Sequence, residues 1–337
     1  MKKLIALVLT LALLTLAGCV PTTVVVGDCT CGNCGSGSTT QPAAPIVDGT
    51  SLKTGLALIA SASGSENGKI AYDVTMVGVL VDGNGVISSC VIDSLGTTVT
   101  LEGGKITTDL TADLLTKNEL GDSYMMNSGS WLQQAGALAK FAVGKTVKEL
   151  KEGAIDETGK APAGSDLASS ASIYLGGYVS AIEQAVENAK FLGAKQGDTL
   201  KIATISALSG QDGDNVQLDM DMTVVSMEGE TITSCAIDSL QGKVSFDAKG
   251  TLTTDVSAPL QTKNQLGDSY GMVAYAGAKY EWYQQAANFA AYVTGKTAAQ
   301  VSGIAITEGG KPGDADLSAS VTIAIAGFQA LIAKAAA

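Results

Sequence analysis

Cysteine thiols, carboxylates and hydroxyls carry most of the chemistry available to this chain, because it contains no histidine and no arginine. That composition removes histidine-based triads, histidine metal sites and bidentate guanidinium clamps on phosphate or carboxylate. Three thiols lie together in Cys29-Thr30-Cys31-Gly32-Asn33-Cys34, a spacing able to hold a metal or to close a small disulfide. A fourth ligand and a flanking fold are lacking, so a local disulfide or redox-variable loop is expected ahead of zinc, and no metal site is assigned. Cys90 and Cys235 stand at equivalent places in two similar segments and are expected to be buried as small hydrophobes. The acids Asp93, Asp238, Asp122 and Asp268 recur in the same way and are expected to cap turns or face solvent. No nucleophile–base pair or nucleotide-binding glycine loop emerges, so no catalytic residue is assigned.

Cys19 has a different context. Lys2 and Lys3 precede an apolar run, Leu4 to Leu16, and the run ends in Leu16-Ala17-Gly18-Cys19. The run is shorter than the roughly 20 apolar residues that span a bilayer. The ending resembles the lipobox of bacterial lipoproteins. The resemblance implies that residues 1–18 are a signal peptide, that Cys19 is lipidated and becomes the mature N-terminus, and that the protein is exported and lipid-anchored to the cell membrane on its extracytoplasmic side. Removing Lys2 and Lys3 leaves 19 basic residues against 33 acidic ones, a net charge near −14. Such a surface opposes nucleic acid and anionic head groups, so lipid rather than a basic patch is the expected membrane contact.

The elements that must position any site follow a duplication. Residues 19–50 are rich in Gly, Ser, Thr and Pro without apolar periodicity, and read as a flexible tether. Beyond it, Ser89-Cys90-Val91-Ile92-Asp93-Ser94-Leu95 recurs as Ser234-Cys235-Ala236-Ile237-Asp238-Ser239-Leu240, TKNELGDSY at 116–124 recurs as TKNQLGDSY at 262–270, and Trp131, Gln133, Gln134 and Ala135 recur as Trp282, Gln284, Gln285 and Ala286. The two copies are collinear and are placed at 52–193 and 199–337. In the first copy, alternation over Tyr72–Val81 predicts a strand, Asp82-Gly83-Asn84-Gly85 a hairpin turn and Val86–Asp93 the returning strand. A second short strand pair is predicted at Thr97–Leu101 and Ile106–Leu110. A helix is predicted from Ser130 to Gly144, a capping box at Thr146-Val147-Lys148-Glu149 opens another, and a last helix covers Gly177–Lys190, with its counterpart from Gly327 onward. Strands followed by helices predict an α+β fold: two homologous repeats, each an antiparallel sheet with packed helices.

Two hydroxyl-rich segments precede the last helix of each copy: Asp166-Leu167-Ala168-Ser169-Ser170-Ala171-Ser172-Ile173 and Asp316-Leu317-Ser318-Ala319-Ser320-Val321-Thr322-Ile323. With the hairpin and the TKNxLG loops, they resemble the FMN-binding domain family, in which a D-x-x-S-G-A-T-x-T motif takes FMN by a phosphoester installed by a flavin transferase. The resemblance places Ser172 and Thr322 at the flavinylated position, with Ser169, Ser170 and Ser320 inside the motif. Leu120-Gly121 and Leu266-Gly267 match the end of that family's earlier glycine-containing loop, with Thr116 and Thr262 near its threonine. The motif glycine is replaced by Ser170 and Ser320, the motif alanine by Val321 in the second copy, and the glutamate–proline pair of the earlier loop is absent. With no arginine, Lys117 and Lys263 or backbone amides must supply phosphate donors. Tyr124, Tyr270, Trp131 and Trp282 are candidate ring partners, although both tryptophans lie at helical spacing with apolar residues and are expected in the core.

Tandem copies on a lipoprotein resemble the extracellular flavoproteins that carry electrons away from Gram-positive cells. The resemblance implies an electron carrier with FMN as cofactor, rather than an enzyme turning over a substrate, and a flavin transferase and membrane electron donors as partners. The alternatives are a surface lipoprotein that binds a small ligand or a protein and has lost covalent flavin, and a structural envelope spacer.

Overall fold

Alternation of side chains along the strands decides the architecture, because both faces of each central strand are apolar. The computed structural model describes residues 47–65 and 68–337, so Cys19, the Cys29–Cys34 cluster and all of the tether but its last four residues lie outside the described residues. In the first half, β1 (Ser51–Ser65), β2 (Lys69–Val81) and β3 (Ile87–Glu102) form an antiparallel meander, and the short β4 (Lys105–Ile106) adds to β3. Next come α1 (Lys117–Leu120), a single 3₁₀ turn, a small hairpin of β5 (Met125–Met126) and β6 (Gly129–Ser130), then α2 (Trp131–Ala142), α3 (Val147–Ala154), α4 (Asp166–Ser170) and α5 (Gly176–Glu187). β7 (Lys190–Lys195) then returns to the free edge of β1.

The second half again runs from three strands to helices, with β8 (Thr199–Gln211), β9 (Asn215–Glu228) and β10 (Thr231–Ser245), then α6 (Lys263–Leu266), a 3₁₀ turn, α7 (Met272–Ala276) where the first half has its small hairpin, α8 (Trp282–Val293), α9 (Ala298–Ser302), α10 (Ala315–Ser318) and α11 (Ala326–Ala336). Antiparallel sheets followed by helices make this an α+β protein.

In β2 the even-numbered Tyr72, Val74, Met76 and Leu80 enter one core cluster, while Val77, Val79 and Val81 enter another. β9 does the same, with Leu218, Met220, Met222 and Val224 facing one way and Val225 and Met227 the other. The even faces of both sheets meet in one shared core, and the helices of each half cover its opposite face. Gly78 sets how closely the sheets approach, since a Cβ there would stand 3.0 Å from Val224.

Polar contacts between the halves sit around this core. Tyr72 donates its hydroxyl to Val216 O at 2.9 Å, and the buried hydroxyls of Thr54 and Ser234 lie 2.6 Å apart. Each half also sends the loop after its third strand to the first strand of the other half. Leu260 N–H donates to Ala60 O at 2.9 Å, and Ser206 Oγ donates to Leu114 O at 3.5 Å.

The predicted hairpin, the helix beginning near Ser130, the Thr146 capping box and the last helix are present. The second strand pair is different. β3 runs unbroken from Ile87 to Glu102, uniting two predicted strands, and β4 stops at Ile106. Beyond that point one backbone bond remains, Thr107 N–H to Thr100 O at 2.9 Å; then Thr108 Oγ1 accepts the Thr100 N–H at 2.8 Å and Asp109 Oδ1 closes a turn with Thr111 N–H at 2.9 Å, so side chains take over from the ladder.

Candidate functional site

Threonine, lysine and asparagine of each TKNxLG segment divide three tasks. Thr116 is the N-cap of α1: its Oγ1 accepts Glu119 N–H at 3.3 Å while the Glu119 carboxylate accepts Thr116 N–H at 2.7 Å. Thr262 and Gln265 repeat this box at 3.2 and 2.9 Å. Asn118 Nδ2 donates to Ile92 O at 3.0 Å and Asn264 Nδ2 to Ile237 O at 2.9 Å, fastening each turn to the edge of its sheet. Gly121 and Gly267 end the turns at φ 57°, ψ −138° and φ 52°, ψ −125°, a region open essentially to glycine alone.

Lys117 and Lys263 are pinned by aromatic rings. Lys117 Nζ lies 5.4 Å from the Tyr124 ring centre and 5.2 Å from Trp131, and Lys263 lies 5.2 Å from Tyr270 and 5.0 Å from Trp282. Burial pulls the Lys117 ammonium below the ordinary lysine range, opposed by Asp73 and Asp93.

Asp93 and Asp238 cap turns, one of the two roles expected of them, but do so buried rather than facing solvent. Both are buried, and each lends Oδ1 to the first turn of the following short helix. Asp93 accepts Ser94 N–H at 2.7 Å and Asn118 N–H at 3.0 Å; Asp238 accepts Ser239 N–H at 2.7 Å and Asn264 N–H at 3.1 Å. Burial raises the pKa of both carboxyls, against the hydrogen bonds that favour the charged form, and Asp238 is pushed up to about 6. Asp122 and Asp268 stay exposed, with Asp122 accepting from Ser130 Oγ at 2.6 Å and Asp268 from Tyr283 OH at 3.2 Å.

The hydroxyl segments are held by two residues of the recurrent tryptophan–glutamine motif, Gln134 and Gln285, to which the sequence pattern attached no role. Gln134 is fully buried in α2, and its Oε1 accepts three donors: Ser172 N–H at 2.8 Å, Ser172 Oγ–H at 3.1 Å and Ile173 N–H at 3.2 Å. Gln285 in α8 repeats the grip on Thr322 N–H at 2.7 Å, Thr322 Oγ1–H at 3.1 Å and Ile323 N–H at 3.2 Å. Each amide is anchored from behind, Gln134 Nε2 on Gly129 O at 3.3 Å and Gln285 Nε2 on Tyr280 O at 2.8 Å.

Ser172 and Thr322 are nonetheless exposed residues. Their neighbours are engaged locally: Ser169 Oγ and Ser170 Oγ turn back to Asp166 O at 2.6 and 3.4 Å, and Ser320 Oγ to Leu317 O at 3.4 Å. A glutamine on the apolar stripe of Trp131, Ala135 and Leu138 was the signal available in the sequence. A buried amide in such a stripe needs partners.

One helix face brings the two predicted groups together. Trp131 and Gln134 stand three residues apart on α2 and so share a face; the first lies under Lys117 and the second holds Ser172. Trp282 and Gln285 do the same on α8 for Lys263 and Thr322.

The halves differ at the edge of this arrangement. Trp131 Nε1 donates to Tyr178 OH at 3.0 Å, whereas Trp282 packs edge-on against Phe328 at 6.0 Å. Asp221 pairs opposite Ser239 where Thr75 pairs opposite Ser94. Burial raises the Asp221 pKa, opposed by a hydrogen bond to Ser239 and by Lys263.

Three surface clefts are present, and neither Ser172 nor Thr322 lines any of them. The largest, about 630 Å³, is lined by Tyr292, Lys296, Gln300 and Asp314 among others, and one of about 340 Å³ lies between the β3 edge and α2 at Cys90, Asn118 and Leu132. Among the described residues no cluster of His, Cys, Asp or Glu could hold a metal ion, and no helix is long and apolar enough to cross a membrane. Comparison with protein-family models, with curated proteins and with solved structures finds no match for the chain.

Proposed function

We propose that this chain is a lipid-anchored electron carrier on the extracytoplasmic side of the membrane, with FMN borne by phosphoester bonds on Ser172 and Thr322. The observation that carries the reading is the presentation of one exposed hydroxyl per half in the same surroundings, held by a buried glutamine three residues from a buried tryptophan. An attachment point needs a hydroxyl that is reachable and oriented, and these two meet that need. FMN would supply reversible one- and two-electron redox chemistry.

The chain's own residues suit attachment better than enclosure. Trp131 and Trp282 are buried, each with a lysine ammonium over its ring. Lys117 and Lys263 share their clusters with Asp93 and Asp238, so the ammonium charge is partly met within the fold. The group would therefore sit at the surface. The lipid on Cys19 would keep it beside membrane donors, and a flavin transferase would install it.

The covered tryptophan rings favour one second reading, a surface lipoprotein that binds a small ligand or a partner protein without covalent flavin. The test is the intact mass of the protein taken from its native membrane. Two FMN additions, one lost in Ser172→Ala and the other in Thr322→Ala, are expected. A lipid-modified mass without flavin, from cells that contain a flavin transferase, refutes the carrier reading and leaves the binding one.

A further inference from the structure

We infer that Gln134 and Gln285 are positioning residues that select Ser172 and Thr322, among the clustered hydroxyls of each segment, as acceptors of the flavin phosphoryl group. The inference rests on the flavin-carrier reading and adds what makes these two oxygens different from their neighbours. Segment 166–173 offers three serine hydroxyls, and segment 316–323 offers two serines and a threonine. Ser169, Ser170, Ser318 and Ser320 bond back to carbonyls of their own short turns. Ser172 and Thr322 are the members held from another element. There a single amide oxygen gathers the hydroxyl and two consecutive backbone N–H groups at 2.7–3.2 Å.

Convergence of three donors on one oxygen has two consequences. The two backbone bonds fix the peptide on either side of the hydroxyl-bearing residue, so χ1 is set against a rigid frame. The third bond points the O–H inward at Oε1, which leaves the oxygen lone pairs turned away from the buried amide and toward the exposed side. An incoming phosphorus meets a lone pair there, not a proton. With a flavin dinucleotide as co-reactant, the bond formed is Oγ–P of Ser172 or Oγ1–P of Thr322. The bond broken is the P–O bond of the pyrophosphate and adenosine monophosphate leaves; the hydroxyl proton, acidified as the O–P bond forms, passes to a phosphoryl oxygen on the exposed side and from there to a base of the transferase. The glutamine is neutral and stays in place, since its two backbone bonds survive the loss of the hydroxyl hydrogen.

The test uses the full-length protein co-expressed with a bacterial flavin transferase. It reads flavin per site by intact mass and peptide mapping. Wild type is expected to carry flavin at Ser172 and Thr322 and none at Ser169, Ser170 or Ser320. Gln134→Met keeps the side-chain volume but removes the acceptor, and is expected to lower labelling of Ser172 by tenfold or more while Thr322 labels normally. Gln285→Met is expected to do the reverse, so the untouched half reports folding within the same molecule. Gln134→Glu and Gln285→Glu keep an acceptor for all three donors and are expected to restore labelling to within about threefold of wild type, a rescue that a purely packing role would not produce.

Normal labelling of both Met variants, or failure of the Glu variants to rescue, overturns the role of the glutamines while the carrier reading stands. An unlabelled wild type overturns both.

Discussion

Asp238 provides a test of the buried site that needs no ligand. Its carboxylate is 4% exposed and held by two backbone N–H groups and the Thr262 hydroxyl, with Lys263 nearby. Burial outweighs those partners and lifts its pKa from the ordinary carboxylate range to about 6. The folded state therefore binds a proton more tightly than the unfolded chain does. The stabilisation this brings is complete below about pH 4 and is lost as pH rises through 6. At 1.36 kcal/mol per unit, the full contribution is about 3 kcal/mol, of which about 2 kcal/mol disappears between pH 4.5 and pH 7.

Asp238→Asn keeps an oxygen for the two N–H groups and removes the titration. Urea unfolding of both proteins across that range is therefore expected to show the wild type losing about 2 kcal/mol relative to the variant as pH rises. With a slope of about 3 kcal/mol per molar urea, that is a change of about 0.7 M in the gap between midpoints. A gap that stays constant from pH 4.5 to 7, or widens in the wild type's favour as pH rises, refutes the assignment of a burial-raised carboxyl.

Other consequences can be measured with single substitutions or reagents. Gly121→Ala meets open space, because no heavy atom lies within 4 Å of the added Cβ, but it imposes a side chain at φ 57°; a loss of about 1–3 kcal/mol is expected in denaturant titration, from backbone strain alone. Phe289→Ala empties a fully buried site against Phe328 at 5.5 Å and is expected to cost about 3–5 kcal/mol in the same assay. Burial pushes the Cys235 thiol up to about 12, so its alkylation at pH 8, mapped by peptide, is expected to run about a thousandfold slower than for an ordinary thiol and to recover in urea, whereas Cys90, half-buried and lining a surface cleft, is expected to react faster than Cys235.

Local rules made much of the chain legible in the sequence. The Thr146 box, the β2–β3 hairpin and the helices beginning near Trp131 and Gly177 follow from capping chemistry, turn residues and periodicity, which act within a few residues. The recurrence of TKNxLG and WxQQ marked where equivalent structure would stand, because the same short-range contacts form in each copy. Recurrence could not say what those residues do.

Only the tertiary structure decided that Asp93 and Asp238 go underground. A carboxylate's surroundings come from the turn that folds over it about 25 residues later. It also turned Gln134 and Gln285 from members of a motif into the grip on Ser172 and Thr322, a contact made across 38 and 37 residues. Finally, it placed the even faces of β2 and β9 in one core. Alternation shows that a strand has two apolar faces but not which surface covers each, and that choice depends on shape and packing between segments about 150 residues apart.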